Sequence, residues 1–252
     1  MIVFSDLDRS IIYSKRFLKD DTTKLEIEIY NGENISYISK ETVELIKKIK
    51  QNSYFIPTTT RTIEQFKRIS FSKYGLDFKY AVTSNGGNIL VNGEVDKEYK
   101  LLIKEKLKLS SHIKDIIELL ENYKSIKGIK KIRKAEELFL YIVIDRDTFD
   151  FKLLQPFIDE IKKLNWDTYI NGTKIYFLPA ELKKSTAVKY LCNKLQHKDT
   201  LIEFIEALYD YWRQLERYSI IYNSAEGTGI QKIKFIEANN SFTNLVLKVY
   251  RT

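Results

Sequence analysis

Two carboxylates near the start of the chain stand two residues apart. Asp6 and Asp8 follow an apolar segment, residues 2–5, that predicts a first β-strand. Residues two apart on a strand share a face, so both side chains can converge where the strand opens into a loop. Such a pair offers hard oxygen ligands for Mg²⁺, and one carboxylate can attack phosphorus to give an aspartyl-phosphate. The simpler alternative is a loop whose polar side chains cap a following helix.

Two further polar clusters also follow predicted strands. A strand predicted at 54–57 leads into Thr58–Arg61, and one at 80–83 leads into Ser84–Gly87. Helices with apolar residues at helical spacing are predicted between the strands, at 39–51 and 62–70. Strands alternating with helices favour a mostly parallel sheet. Because functional loops gather at the carboxyl ends of such strands, we expect the three clusters to meet at one edge.

The segment from residue 88 onward has a different pattern. Hairpins are predicted around Asn92-Gly93 and Asn171-Gly172. Between them the sequence predicts mostly helix over 101–123, a strand over 138–145 and a helix over 151–164. A further helix is predicted over 182–195. We therefore predict a core formed by residues 1–87 and 178–252, with an α+β unit at 88–177 inserted between its two parts.

Composition narrows the function classes. Of the 252 residues 44% are hydrophobic, which is enough for a sizeable core, and no apolar run approaches the roughly 20 residues that span a bilayer. One cysteine, Cys192, excludes an internal disulfide and predicts a cytoplasmic protein. The formal net charge of +8 permits nucleic-acid binding, but no zinc-finger or RNA-binding pattern accompanies it. We interpret stretches such as Lys127–Lys134 as a solvated lysine face that attracts anionic substrates.

Taken together, these clusters resemble the haloacid dehalogenase superfamily of phosphatases. The resemblance rests on Phe-Ser-Asp-Leu-Asp-Arg-Ser at residues 4–10, on Ile-Pro-Thr-Thr-Thr-Arg-Thr at 56–62 and on Lys-Ser-Thr-Ala at 184–187. It points to the capped branch that is sucrose-phosphate-phosphatase-like or Cof-like, and within it to hydrolases of tellurite-resistance gene clusters. It implies a doubly wound parallel sheet, a Rossmann-like α/β core, with an inserted α+β cap.

The resemblance also implies roles for the first motif and for the metal. Asp6 matches the nucleophile, and Asp8 matches the acid–base that protonates the leaving oxygen and later activates water. The carboxylate of Asp6 and the backbone carbonyl of Asp8 would hold Mg²⁺. Charge neutralisation by the metal suits a metaphosphate-like transition state.

The resemblance also implies roles for residues of the second and third motifs and of the loop after the third predicted strand. Thr59, with Thr58 as the alternative, would donate a hydrogen bond to a phosphoryl oxygen. Lys184, with Lys183 as the alternative, would face the phosphate and the nucleophile. Arg61 is a candidate for a bidentate phosphate contact. The turn containing Asn85 and Gly86 is the last candidate part of the substrate site.

The fourth motif departs from the family pattern. The family has Gly-Asp-Ser or Gly-Asp-Gly, followed about three residues later by a second aspartate; these acids complete the magnesium shell. Asp210 aligns with the first acid, but the glycine is replaced by Tyr209 and the second acid by Gln214. Tyrosine does not permit the close backbone approach of glycine, and glutamine is a neutral ligand.

One hypothesis accounts for this departure. Permitted codons for residues 212–218, TGG AGA CAG CTT GAA AGA TAT, spell Gly-Asp-Ser-Leu-Lys-Asp when they are read from the second base. The atypical segment from about 197 to 252 would then be a frameshifted reading of a phosphatase gene. Sequencing the gene across these codons tests the hypothesis.

The sequence therefore predicts a Mg²⁺-dependent phosphatase. Its substrate would be a small phosphorylated metabolite, such as a sugar phosphate, hydrolysed through an aspartyl-phosphate. The alternative is a catalytically impaired relative that binds a phosphorylated ligand or a partner protein. No nucleic-acid or membrane partner is expected, and neither the substrate's identity nor the oligomeric state is encoded in a readable pattern.

Overall fold

A computed structural model describes residues 2–15, 23–195 and 219–222. The described residues form two compact units, one from those of 2–96 together with 184–195 and 219–222, the other from residues 97–183. The assignment of residues 1–87 and 178–252 to a catalytic core and of residues 88–177 to its cap stays a prediction. Within the described ranges, no helix is both long enough and apolar enough to cross a membrane.

The first unit contains the three predicted strands and the helices between them. Its elements in chain order are β1 (Ile2–Ser5), β2 (Lys24–Tyr30), β3 (Glu33–Ser39), α1 (Lys40–Lys50), β4 (Tyr54–Pro57), α2 (Ile63–Lys67), β5 (Tyr80–Thr83), β6 (Asn88–Val91), β7 (Glu94–Val95), α6 (Lys184–Lys194) and β12 (Ser219–Tyr222).

Parallel pairing aligns the strand ends of this unit. β1 lies parallel to β4, with Ser5 opposite Pro57, and a parallel bridge from Thr58 to Val82 continues the arrangement to β5. The predicted α/β class with parallel strands is confirmed. Antiparallel strands border these three: β12 pairs with β1, and β6 pairs with β5 and β7. The predicted turn at Asn92-Gly93 joins β6 to β7.

Local hydrogen bonds define where the first two helices begin. The Ser39 hydroxyl accepts the N–H of Thr42 at 3.0 Å and caps α1. Thr62 and Gln65 form a reciprocal capping box at α2, each side chain accepting the other's backbone N–H at 3.2 Å. This cap fixes the backbone immediately after Arg61, a predicted site residue.

A hairpin between β1 and α1 is an element that we did not predict. β2 and β3 pair around the turn Asn31-Gly32, and the register shifts on both sides of Glu28. Because of these irregularities, consecutive residues Ile27 and Glu28 are both buried, whereas Ile29 is 59% exposed. The hairpin therefore turns a glutamate toward the protein interior.

The second unit combines three helices with an antiparallel sheet. Its elements are α3 (Lys97–Leu107), α4 (Ile113–Glu121), β8 (Ile129–Ala135), β9 (Phe139–Ile144), α5 (Phe151–Lys163), β10 (Trp166–Asn171) and β11 (Lys174–Pro179), with strand order β10-β11-β9-β8. Large side chains such as Phe157, Phe177 and Trp166 are fully buried in its core. The hairpin predicted at Asn171-Gly172 is present.

The prediction of mostly helix over 101–123 is confirmed, and a turn divides this helical segment into α3 and α4. Asn165 donates to the carbonyl of Leu109 at 3.0 Å, and the Trp166 indole donates to that of Ser111 at 2.9 Å. His112 then caps α4. These tertiary hydrogen bonds outweigh the local helical pattern.

The lysine-rich segment near residue 130 is an edge strand. In β8, the five residues 130–134 are all exposed, which confirms the interpretation as a solvated face. Charged side chains on an edge strand also oppose unwanted pairing with another sheet.

The only cysteine in the sequence lies on α6 and is fully buried. Burial raises the pKa of the Cys192 thiol to about 12, so little thiolate forms at neutral or mildly alkaline pH. We expect the native protein to react with a disulfide reagent at least about 10³-fold more slowly than the unfolded chain. The measurement is thiol labelling with and without guanidinium; equal rates in both conditions would contradict the burial of this helix.

Candidate active site

The three predicted polar clusters lie at neighbouring strand ends. The N–H of Thr58 donates to the carbonyl of Ser5 at 2.8 Å, and that of Thr59 donates to Val82 at 2.9 Å. These bonds connect the segments after β1, β4 and β5 directly. The sheet therefore places Asp6 and Thr59 at a common edge, because the carboxyl ends of the strands coincide there.

Asp6 and Lys184 form the central ion pair of this edge. Nζ of Lys184 lies 2.7 Å from Oδ1 of Asp6, although 178 positions separate them in sequence. Both side chains are only 16% exposed. Burial raises the pKa of Asp6 above its usual value, and the charge of Lys184 opposes this shift without cancelling it. A further cation at this carboxylate would favour its ionised form.

Lys184 reaches this position as the first residue of α6. Within the first unit, α6 packs against the 3₁₀ turn Ser84–Gly86, so the helix start and the loop after β5 are neighbours. Of the two adjacent lysines considered from the sequence, it is Lys184 that contacts Asp6.

The two threonine candidates differ in their hydrogen bonds. The hydroxyl of Thr58 donates to the carbonyl of Ile56 at 3.3 Å. The hydroxyl oxygen of Thr59 instead accepts the N–H of Arg61 at 3.1 Å, which leaves its hydrogen to donate. Both residues are buried. Donor capacity therefore favours Thr59 over Thr58 as a ligand for a phosphoryl oxygen.

Arg61 makes a bidentate pair with Asp8. Its Nε donates to Oδ2 at 3.0 Å and its Nη2 donates to Oδ1 at 2.8 Å. Its Nη1 donates to Glu28 at 2.8 Å. Burial lowers the pKa of Arg61, but the hydrogen bonds and charges of Asp8 and Glu28 outweigh burial and raise it. The guanidinium therefore stays charged between two carboxylates.

The turn after β5 contains two residues with positive φ angles. Asn85 and Gly86 have φ angles of 56° and 92°, which asparagine and glycine tolerate well. The N–H of Asn85 donates to the carbonyl of Thr59 at 3.0 Å. A backbone hydrogen bond thus connects this predicted substrate-binding turn to residues 58–61 after β4, the second-motif loop.

The sequence interpretation missed two buried polar residues of the first unit. Glu28 has a fully buried side chain and joins Arg61 to Arg68. Thr83, at the end of β5, has a buried hydroxyl with no hydrogen-bond partner among the described residues. The alternating pattern around Asn31-Gly32 could have located the hairpin that carries Glu28, but the inward turn of Glu28 has no sequence signal.

Two of the three predicted Mg²⁺ ligands lie at this edge. The Asp6 carboxylate and the Asp8 carbonyl are hard oxygen ligands of the kind that Mg²⁺ prefers. No cluster of three or more His, Cys, Asp or Glu side chains suited to a metal is found in the described ranges. Asp210, the third predicted ligand, and Gln214 lie outside the described residues, as do the other residues at 212–218 on which the frameshift hypothesis rests.

The family comparison covers one of the three motifs, the one at residues 56–62. Residues 31–132 match the model of the haloacid dehalogenase-like hydrolases, which confirms the predicted resemblance. No curated protein matches the chain. The link to tellurite-resistance clusters stays a prediction.

The fold has relatives among solved structures. The sucrose-phosphatase of Synechocystis sp. PCC6803, solved with sucrose and phosphate, has a TM-score of 0.53 and 15% identity, over 79% of this chain and 71% of that chain. This likeness supports the predicted fold. A Thermoplasma acidophilum protein has a TM-score of 0.48 and 14% identity, covering 79% and 73%. A trehalose-6-phosphate phosphatase related protein has a TM-score of 0.46 and 18% identity, covering 77% and 74%.

Proposed function

We propose that the chain hydrolyses a small phosphorylated metabolite with Mg²⁺ as cofactor, because residues 31–132 match the haloacid dehalogenase-like hydrolases. The observation that carries the proposal is the pair of Asp6 with Lys184 at 2.7 Å. A half-buried carboxylate beside an ammonium group is a suitable nucleophile toward a phosphate ester. The lone cysteine supports a reducing compartment, and we place the reaction in the cytoplasm as part of this proposal.

In the proposed reaction, Asp6 attacks phosphorus and forms an aspartyl-phosphate. Asp8 gives a proton to the leaving oxygen and then removes one from the water that hydrolyses the intermediate. Thr59 donates to a phosphoryl oxygen, and Lys184 neutralises charge on the nucleophile and the phosphoryl group. The backbone turn at Asn85 and Gly86 supports the second-motif loop from the side of β5.

Mg²⁺ would be held by the Asp6 carboxylate, the Asp8 carbonyl and Asp210. When bound, it neutralises charge on the transferring phosphoryl group. The nearby ammonium and hydroxyl of Lys184 and Thr59 act on the same group from the protein side.

The test is hydrolysis of 4-nitrophenyl phosphate by the full chain. We expect turnover with Mg²⁺, loss of turnover in excess chelator and recovery when Mg²⁺ is added back. Sugar phosphates and related metabolites would then be compared by kcat/KM to identify the substrate. Absence of any Mg²⁺-dependent phosphate release would contradict the proposal.

The sequence of the fourth motif favours a second candidate, a relative that binds a phosphorylated ligand without turnover. Gln214 stands where the family has a ligating acid, so one anionic ligand is missing. Calorimetric titration with inorganic phosphate distinguishes the two candidates. Binding without hydrolysis supports the second, whereas hydrolysis supports the first.

A further inference from the structure

We propose that Glu28 is a positioning residue for phosphate ester cleavage, which acts through Arg61 to fix the carboxylate of Asp8. This inference rests on the proposed function, because the role assigned to Asp8 is that of the general acid–base. Glu28 belongs to the hairpin of β2 and β3 and matches none of the motifs.

The carboxylate of Glu28 accepts hydrogen bonds on both oxygens. Oε2 accepts from the Ser36 hydroxyl at 2.6 Å and from Nη1 of Arg61 at 2.8 Å. Oε1 accepts from Nε of Arg68 at 2.9 Å and forms an ion pair with Nη2 of the same residue at 2.8 Å. The side chain is 0% exposed. Burying a charge in this way is favourable only when partners of good geometry surround it.

The planar guanidinium of Arg61 transmits the position of Glu28 to Asp8. Nη1 is held by Glu28, while Nε and Nη2 bind the two oxygens of Asp8. Because the nitrogens of a guanidinium form a rigid planar fork, the bond to Glu28 sets the plane presented to Asp8. A lysine in place of Arg61 could not define that plane.

Exposure changes in one direction along this chain of contacts. The side chains of Glu28, Arg61 and Asp8 are 0%, 15% and 49% exposed. The buried carboxylate of Glu28 is thus held in place, and the exposed carboxylate of Asp8 is accessible to a reacting molecule. This order is what a support for a general acid–base requires, since the reacting group must be accessible and its support rigid.

The hairpin itself is anchored beside Glu28. The N–H of Ser70 donates to the carbonyl of Ile27 at 2.7 Å, and Glu28 forms a β-bridge with Ile69. Arg68 also stacks over the ring of Tyr30, 4.4 Å from its centroid. The strand that carries Glu28 is therefore attached to the segment after α2.

The experiment compares two substrates that differ in leaving-group basicity, 4-nitrophenyl phosphate and phenyl phosphate. Phenolate is the poorer leaving group, so its departure depends more on protonation by Asp8. For Glu28→Gln we expect kcat with phenyl phosphate to fall on the order of 30-fold, with a fall of about 3-fold or less for 4-nitrophenyl phosphate. KM is expected to change little for either.

Four further variants give the controls. Asp8→Asn should show the same substrate dependence with a larger loss of kcat, and adding Glu28→Gln to it should cause little further loss.

Asp96→Asn is the matched control, because Asp96 is a buried carboxylate of the same unit, paired with Lys194 at 2.8 Å. We expect it to lower both rates equally, if at all. Ser36→Ala removes a single hydrogen bond to Glu28 and should show a smaller effect with the same substrate dependence.

The outcomes separate this inference from the proposed function. Equal losses on both substrates in Glu28→Gln would show a merely structural role and overturn the inference while the proposed function stands. If Glu28→Gln fails to fold, Ser36→Ala decides by the same criterion. A wild-type protein without Mg²⁺-dependent turnover overturns the proposed function, and the inference falls with it.

Discussion

Replacing Asp6 with asparagine is expected to abolish phosphatase activity, with kcat for 4-nitrophenyl phosphate falling on the order of 10³-fold or more. Asparagine keeps the size of the side chain and an oxygen that can accept from Lys184, but its neutral amide cannot form the proposed phosphoenzyme. The measurement is steady-state hydrolysis with saturating Mg²⁺, together with acid-quench detection of protein-bound phosphate. Neither turnover nor bound phosphate should be seen.

The control for Asp6→Asn is a carboxylate paired with lysine on the surface. Glu44 pairs with Lys47 at 3.2 Å on α1, with side chains 62% and 43% exposed. Glu44→Gln should leave kcat unchanged, since an exposed pair of this kind contributes little. Activity of Asp6→Asn close to the wild type would remove Asp6 from the role of nucleophile.

Lys184→Met is the second large expected effect, with a loss of about 10²- to 10³-fold in kcat/KM. The ammonium group 2.7 Å from Asp6 is then missing, and burial alone acts on the carboxylate. The pKa of Asp6 should rise further, so less of the ionised nucleophile forms. Breaking one side of this pair should also lower the free energy of unfolding by about 3 kcal/mol, measured by urea denaturation.

Two variants separate catalysis from stability at this position. Lys183→Met is the matched control and should retain activity. If Lys183→Met loses activity while Lys184→Met retains it, Lys183 and not Lys184 has the proposed catalytic role. The double variant Asp6→Asn/Lys184→Met removes both charges, so its stability should return toward that of the wild type. Its activity should stay lost because the nucleophile is missing, so the urea curve of Lys184→Met itself must show that this variant is folded under the assay conditions.

The strand ends could be predicted because they follow local rules. The strands at 2–5, 54–57 and 80–83 are short apolar segments followed by polar residues, and the structure has all three at those bounds. Their parallel arrangement follows from the helices between them. Asp6 and Thr59 could therefore be placed at one edge without knowledge of any contact. The meeting of Lys184 with Asp6 came from the resemblance, since one lysine among many carries no local signal.

The surroundings of Arg61 could not be predicted in the same way. Its partners lie 53 and 33 residues away in sequence, in a loop and in a hairpin. Strict alternation along β2 would place Glu26 and Glu28 together on the solvent side, opposite Ile27. The register shifts around Glu28 break that alternation, and a one-residue slip exchanges the two faces of a strand. A bulge of this kind depends on tertiary packing.

The division of the chain into units also determines when the central ion pair can form during synthesis. Residues 97–183 are contiguous, so the second unit can fold as soon as it leaves the ribosome. The first unit is interrupted, because Asp6 is made before residues 97–183 and Lys184 only after them. At ordinary translation rates, the insertion alone delays Lys184 by about 4 to 17 s. During that interval the strand carrying Asp6 exists without its lysine, so the first unit cannot complete its central ion pair until α6 has been made.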